Sequence, residues 1–313
     1  MDDRAADARY HDPVLGREVM DLLEPHSGLY LDGTVGGGGH ARLLLERCPG
    51  CRILAVDRDA EALAHARGVL EPYRDRVRFL QAGFDRAVGD VEVSDRGLEG
   101  ALLDLGVSSH QLDAEARGFT YRRGAPLDMR MAPDEGGVTA ADVLADEDER
   151  ELARVFLELG EEPRGRKLAR EVVRRRASAA FRTSDDLVAA LAAAVGRAPS
   201  HQEKARAFQA LRIKVNRELE ALGTALEGLR EALRSEGVIA VIAYHSLEDR
   251  MVKHAFREWS RDCVCPPDFP VCRCRGVALG ETLTRRPVTA GVEEIQRNPR
   301  ARSARLRAWR KAA

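Results

Sequence analysis

The sequence predicts an α/β protein: a doubly wound, mostly parallel seven-stranded sheet with an inserted all-helical domain. Three observations carry this expectation. A short apolar run, Leu29–Leu31, ends in Asp32 and passes straight into a loop with five glycines among residues 33–39. Further apolar runs at Arg52–Asp57, Val77–Gln81 and Leu98–Asp104 alternate with helix-patterned sequence. From Val138 to about Gln202 the helical pattern continues with no strand signal. Regular strand and helix alternation implies parallel strands joined by crossovers, with ligands outside the carboxyl ends of the strands. Asp32, Asp57, Phe84 and Asp104 are therefore expected on one edge of the sheet.

In chain order, HDPVLGREVMDLL places Val14, Leu15, Val19, Leu22 and Leu23 at near-helical spacing. The glycine loop opens a helix through Ala41–Arg47, the second strand follows, and Ala60–Leu70 reads as the next helix. The third strand ends near Phe84 and the fourth, LEGALLD, at Asp104. After Asp113 the pattern becomes loop-like in RGFTYRRGAPLDMRM. Helices then follow at DERELARVFLELG, stopped by Gly160, at the basic RGRKLAREVVRRR, and at LVAALAAAVG behind a Thr183/Asp186 capping box. Residues 114–204 are thus expected as the inserted domain, and residues 1–113 with 205–313 as the sheet domain. Ala205–Leu222 carries a stripe of Phe208, Leu211, Val215, Leu219 and Leu222, expected to pack as core while the chain returns to the sheet. Val238–Ala243 supplies the fifth strand, and Leu283–Val288 with Ala304–Ala308 an antiparallel pair to finish it.

The loop after Asp32 reads as a cofactor cradle, because residues without Cβ reach positive φ and let a ligand lie on the amides of a new helix. Charge selects the cofactor. A pyrophosphate would be repelled by Asp32, whereas the sulfonium and α-ammonium of S-adenosylmethionine (AdoMet) would be attracted. Asp57 ends the next strand where a ribose-binding acid belongs. Asp104, ending strand four, would face both methyl donor and acceptor amine, with Gly106 letting the chain turn beside it.

Composition bounds the rest. The 313 residues carry a formal net charge of -1, so a polyanion would need a local basic site. The longest apolar runs are too short to span a bilayer and MDDRAADARY has no signal-peptide core, which leads us to expect a soluble, cytoplasmic protein. The six cysteines fall in clusters, unlike a secreted disulfide framework.

LDGTVGGGGH, AVDRD, DLGVSSHQLD, RGFTYRRGAPLDMRM, FQALRIKVNRELE, YHSLEDRMVK and NPRARSARLR together closely resemble the RsmH (MraW) family over about His11 to Leu306. The run GGGGH departs from relatives that vary the earlier glycines, which leaves the cradle intact. The resemblance implies an AdoMet-dependent methyltransferase with a Rossmann-like sheet, acting on the exocyclic 4-amino group of one cytidine in 16S ribosomal RNA of the small subunit. It implies AdoMet contacts at Gly38, Gly39, His40, Asp57, Phe84, Asp104 and Gln111, with Phe84 near the adenine and Asp57 on the ribose. Asp104 would serve as the acceptor of an amine hydrogen bond, with direct methyl displacement and no covalent enzyme intermediate. A monomer or homodimer is expected, with no membrane partner.

Substrate contacts are expected from Phe119, Tyr121 and Arg123 in the aromatic and arginine-rich loop, from Arg212, and from His245 and Ser246 at the end of strand five. Taken alone, that loop also reads as a packed connection, and the basic helix at Arg164–Arg176 as either an RNA track or a solvated face. His, Ser and two acids in YHSLED suggest a hydrolase, but no G-x-S-x-G elbow accompanies them. A DNA amino-methyltransferase would carry an aromatic Pro-Pro turn where Leu105 and Gly106 stand; a non-catalytic AdoMet-binding assembly factor is the other alternative. Cys263, Cys265, Cys272 and Cys274 could close a structural zinc site or form a redox-labile or plain surface loop. Cys48 and Cys51 lie between a helix end and a strand start, unlike a thioredoxin motif.

Overall fold

The computed structural model describes residues 13–107, 114–265, 271, 273–274 and 276–313. It divides into two compact units, one of residues 1–106 and 220–313 and one of residues 107–219.

In the first unit the elements are α1 (Gly16–Leu23), β1 (Gly28–Asp32), α2 (Gly39–Arg47), β2 (Cys51–Asp57), α3 (Ala60–Val69), β3 (Val77–Gln81), α4 (Phe84–Ala87), α5 (Val91–Arg96) and β4 (Leu98–Asp104). The second contributes α6 (Ala140–Asp146), α7 (Glu149–Arg154), α8 (Gly165–Arg176), α9 (Ser184–Val195) and α10 (His201–Asn216). Helix α11 (Glu218–Ala232) leads back to β5 (Leu233–Ala243), followed by α12 (Ser246–Trp259), β6 (Gly280–Thr282), α13 (Val292–Arg297) and β7 (Arg305–Lys311).

The sheet has the order β3-β2-β1-β4-β5-β7-β6. The first five strands pair in parallel, while β7 runs antiparallel to both β5 and β6. Apolar side chains alternate to the two faces. Tyr30, Ile53, Leu102, Ala240 and Leu306 enter one core, and Leu31, Leu54, Leu103, Val241 and Trp309 the other. Both faces are covered, as a parallel sheet requires.

Three sequence expectations move. The sixth strand forms at Gly280–Thr282 rather than Leu283–Val288; the latter stretch makes scattered contacts, Leu283 N to Ala308 O at 3.0 Å, Ala308 N to Thr284 Oγ1 at 3.0 Å and a Val288–Leu306 bridge. Pro287 in its midst has no amide to give to a ladder. The helix expected through Leu159 ends as α7 and continues as a π turn over Val155–Leu159. The division expected at residue 205 also shifts, because α10 lies in the helical unit. A Ser200/Glu203 capping box starts that helix, and Ala207, Phe208, Ala210, Leu211 and Ile213 are buried.

Asn216 ties α10 to the preceding loop: Oδ1 accepts from Met131 N at 2.8 Å, and Nδ2 donates to Met129 O at 2.7 Å and Arg212 O at 2.9 Å. Met129 there has φ of +63°, a left-handed conformation that a non-glycine residue holds only when its surroundings fix it.

Candidate functional site

The carboxyl edge of the sheet is built in two levels. Asp32 lies level with Ala55 on β2 and Leu102 on β4, so Asp57 and Asp104 end their strands two residues farther out. That offset is why Asp32 is only 5% exposed. The chain after Asp32 stays bonded to its neighbours, Gly33 N to Leu102 O at 2.9 Å and Val35 N to Val56 O at 2.8 Å. A Cβ at Gly33 would stand 2.5 Å from Leu103 Cδ2 and 3.0 Å from Phe84 Cβ, so only glycine lets these elements approach. Gly38 caps α2 with φ of +83° and Gly39 is the first residue of that helix, which turns its free amides toward the strand ends.

The acids are held by backbone donors. Thr34 N donates to Asp32 Oδ1 at 3.3 Å; Gly36 N and Asp59 N donate to the two oxygens of Asp57 at 2.9 and 3.0 Å. Burial pushes Asp32 up to about 7 against the pull of the Thr34 amide, and the charges of Asp104 and Asp57 add to the rise. Burial likewise pushes Asp57 up to about 6, and raises Asp104. Among the described residues no lysine or arginine pairs with any of the three.

Asp104 is the most constrained. Its backbone N donates to Thr34 Oγ1 at 2.6 Å, and Tyr244 Oη donates to Oδ1 at 2.8 Å. His40 Nδ1 lies 3.8 Å from Oδ2. The other imidazole nitrogen, Nε2, is 2.9 Å from Val14 O; a carbonyl only accepts, so that nitrogen carries a proton. Burial and the Asp104 charge push Tyr244 well above its ordinary range, keeping its hydroxyl a donor. Gly106, at φ of +101°, passes beside the tyrosine ring, where a Cβ would meet Cδ2 at 3.3 Å.

This donor set fits AdoMet. Glycines provide backbone approach, Asp57 retains acceptor capacity for hydroxyls, and Asp32 and Asp104 are desolvated acids that a sulfonium or ammonium would compensate. A phosphate ligand would meet repulsion from three carboxylates instead.

The structure brings Gly38, Gly39, His40, Asp57, Phe84 and Asp104 to this edge; Gln111 lies outside the described residues. His245 does something more local than expected. It is the N-cap of α12, its Nδ1 accepting from Glu248 N at 3.4 Å while Nε2 lies 3.1 Å from Glu248 Oε1. Ser246 is the first residue of that helix. Asp249, next to Glu248, takes Arg307 at 2.7 Å and Arg305 at 3.2 Å, so these two arginines near the end of the chain are ion-paired. Arg307 is buried.

In the helical unit, Arg212 forms a two-pronged pair with Glu218 at 2.9 Å for each bond. Phe119 and Tyr121 pack against the core of that unit, and Tyr121 Oη lies 2.6 Å from His201 Nδ1. Arg123 is highly exposed, 3.7 Å from Asp185. On the basic helix, Glu171 holds Arg174 and Arg175, and Arg176 donates to the carbonyls of Leu144 and Glu147.

Cys48 and Cys51 are joined in a disulfide across the α2–β2 turn. Cys263, Cys265 and Cys274 bring their sulfurs within 4.8 Å of one another, and Cys272 lies outside the described residues.

Sequence reasoning gave neither Tyr244 nor Thr34 a role. Both become visible once β5 is known to neighbour β4: Asp104 pairs with Ile242, which brings Tyr244 up beside the carboxylate.

The MraW methylase family model matches residues 8–312. "Ribosomal RNA small subunit methyltransferase H" of Gemmatimonas aurantiaca is 49% identical over 313 residues, covering 97% of this chain and 96% of that protein. The protein of the same name from Heliobacterium mobile is 48% identical over 311 residues, covering 96% and 99%. Among solved structures, an rRNA methylase from Streptococcus thermophilus covers 95% of each chain at 9% identity and a TM-score of 0.43, and the fold rests on the strand order above rather than on that likeness. On a match that runs nearly end to end and relatives sharing almost half its residues, the chain belongs to the MraW methylase family.

Proposed function

We propose that this protein is an AdoMet-dependent methyltransferase of 16S ribosomal RNA, and that it methylates the exocyclic 4-amino group of a specific cytidine in the small subunit. The names of its relatives support the substrate class. The observation that carries the chemistry is Asp104, a half-buried carboxylate at the strand edge fixed by Tyr244 and Thr34 beside a glycine cradle.

Bound AdoMet supplies an electrophilic methyl group. The amides around Gly38 and Gly39 would receive its polar end, Asp57 would take the ribose hydroxyls and Phe84 would flank the adenine. Asp32 and Asp104 compensate its positive charges.

The cytosine amine is a weak nucleophile because its lone pair is delocalised into the ring, so orientation is the main contribution. Asp104 Oδ1 is engaged by Tyr244, which leaves Oδ2 to accept an N–H of the amine. The methyl–sulfur bond would break as the nitrogen–methyl bond forms, leaving neutral S-adenosylhomocysteine, and Asp104 Oδ2 would take the surplus proton from the positively charged nitrogen. Burial raises the proton affinity of Asp104, which suits that transfer. Neither a covalent cysteine nor an activated water is needed.

The helical unit, with Phe119, Tyr121, Arg123 and Arg212, is the part we assign to RNA recognition; the exposed Arg123 is its best-placed cation for a phosphate. Among the described residues no helix is long and apolar enough to cross a membrane, and a ribosomal substrate implies a cytoplasmic enzyme.

The test is methyl transfer from labelled AdoMet to unmethylated small-subunit RNA, offered naked, in assembling particles and in finished subunits, with the product nucleotide mapped. Asp104→Asn is expected to lower the rate at saturating AdoMet by roughly 10²–10⁴-fold, a loss of turnover separate from any weakening of AdoMet binding. Full activity in that variant removes Asp104 from the role, and no transfer to any RNA despite tight AdoMet binding overturns the enzyme reading.

A further inference from the structure

We infer that Cys263, Cys265 and Cys274 form a structural zinc site that folds the chain between α12 and β6. The inference is independent of the methyl-transfer reading, since it rests on a different part of the molecule.

The segment needs some such device. Its ends are pinned together by Leu279 N donating to Trp259 O at 2.8 Å, and β6 begins one residue later. Between those anchors no described residue from 260 to 278 is buried, and Val271 and Val277 are 64% and 63% exposed. A stretch of this length without an apolar core is ordinarily held by a cross-link or a metal.

The sulfur geometry matches a metal. All three Sγ atoms lie within 4.8 Å of one another, and those of Cys263 and Cys274 are 3.7 Å apart. A tetrahedral ion with Zn–S bonds of about 2.3 Å sets its sulfurs about 3.8 Å apart, whereas a disulfide brings them to about 2.0 Å. The backbone donors also suit thiolates. Val264 N, the middle residue of the first Cys-x-Cys arm, donates to Cys274 Sγ at 3.3 Å. Arg273 N, the middle residue of the second, donates to Cys265 Sγ at 3.4 Å. Each arm thus hydrogen-bonds the last cysteine of the other, a reciprocal arrangement that stabilises sulfur-borne negative charge as outer donors do at metal sites.

The second arm carries one more cysteine in sequence, Cys272, which lies outside the described residues. Thiolates select soft or borderline ions, and converging ligands that are all sulfur point to zinc in a structural rather than catalytic role.

Place agrees with that role. Strand β5 ends at the carboxyl edge and α12 starts there, so its far end, Trp259, and the pairing of Gly280 with Lys311 lie at the opposite edge from Asp104.

The full chain, purified under reducing conditions without chelators, is assayed for metals by mass spectrometry. The expected content is about one zinc per chain, released in step with mercurial titration of the thiols. Cobalt loaded in its place is expected to show a sulfur-to-metal charge-transfer band. Cys265→Ser and the double variant Cys263→Ser/Cys274→Ser are expected to lose the metal and to become roughly tenfold more susceptible to proteolysis within residues 260–278, with AdoMet binding unchanged as the control for folding. Zinc below about a tenth per chain in folded wild-type protein overturns the inference. So does iron in place of zinc, a disulfide between the arms, or zinc retained in the double variant.

Discussion

Replacing Asp32 with asparagine should make the ligand-free protein more stable, and by an amount that depends on pH. Its side chain is buried, and burial with two neighbouring carboxylates raises it to about 7 from an ordinary 3.8. A carboxyl whose folded value lies above its unfolded value favours folding when protonated, and that contribution is lost as pH rises through the folded value. Three units at about 1.36 kcal/mol each give a cost of ~4 kcal/mol for holding Asp32 ionised at pH 8. The same relation gives ~1.5 kcal/mol at pH 5 and ~0.5 kcal/mol at pH 4. Asparagine has nearly the same shape, can still accept from Thr34 N, and carries no charge. The gain of Asp32→Asn, from urea denaturation between pH 4 and pH 8 without AdoMet, should therefore grow by ~3.5 kcal/mol across the range. Saturating AdoMet should shrink it, because the variant forfeits attraction to the cation. A pH-independent difference, or a variant less stable at pH 8, refutes the reasoning.

Three further outcomes follow from the packing. Asn216→Ala strands the buried Met131 N–H and Met129 C=O, so chemical denaturation should show a loss of ~2–4 kcal/mol. Asp249→Ala leaves buried Arg307 without its carboxylate and should cost ~3–5 kcal/mol at neutral pH. Burial works to raise Asp249, but Arg307 and Arg305 outweigh it and hold the group below its usual value, so the pair's contribution should fade below about pH 4 in a denaturation series. Gly38→Ala forces a side chain into φ of +83°, costing ~1–2 kcal/mol, and should weaken AdoMet binding measured by calorimetry.

How far the sequence could be read depended on whether the deciding contacts were local. Leu29–Asp32 and Arg52–Asp57 announced themselves as strands because apolar runs stopped at acids, and the glycine loop could be placed from its composition. The two-level edge could not: Asp32 is deeper than Asp57 and Asp104 because of parallel register between strands far apart in sequence. The same limit hid the bond from Tyr244 to Asp104 and the pairing of Asp249 with Arg307, which joins two motifs that looked separate. Ion pairing was hidden in the same way: Arg174, Arg175, Arg176, Arg212 and Arg307 are each engaged by an acid or a carbonyl that periodicity does not reveal. His245 looked chemical because of its neighbours, and its imidazole caps a helix.

The most direct test of the central claim, that a cationic methyl donor is compensated by the buried acids at the strand ends, is calorimetric titration of the full chain with AdoMet near pH 6.5 in buffers of differing ionisation enthalpy. Asp32 at about 7 and Asp57 at about 6 are partly protonated there, so one AdoMet should bind with release of roughly half to one proton, and Asp32→Asn should remove most of that release. No binding, or a proton count that is zero or the same in the variant, would contradict the account.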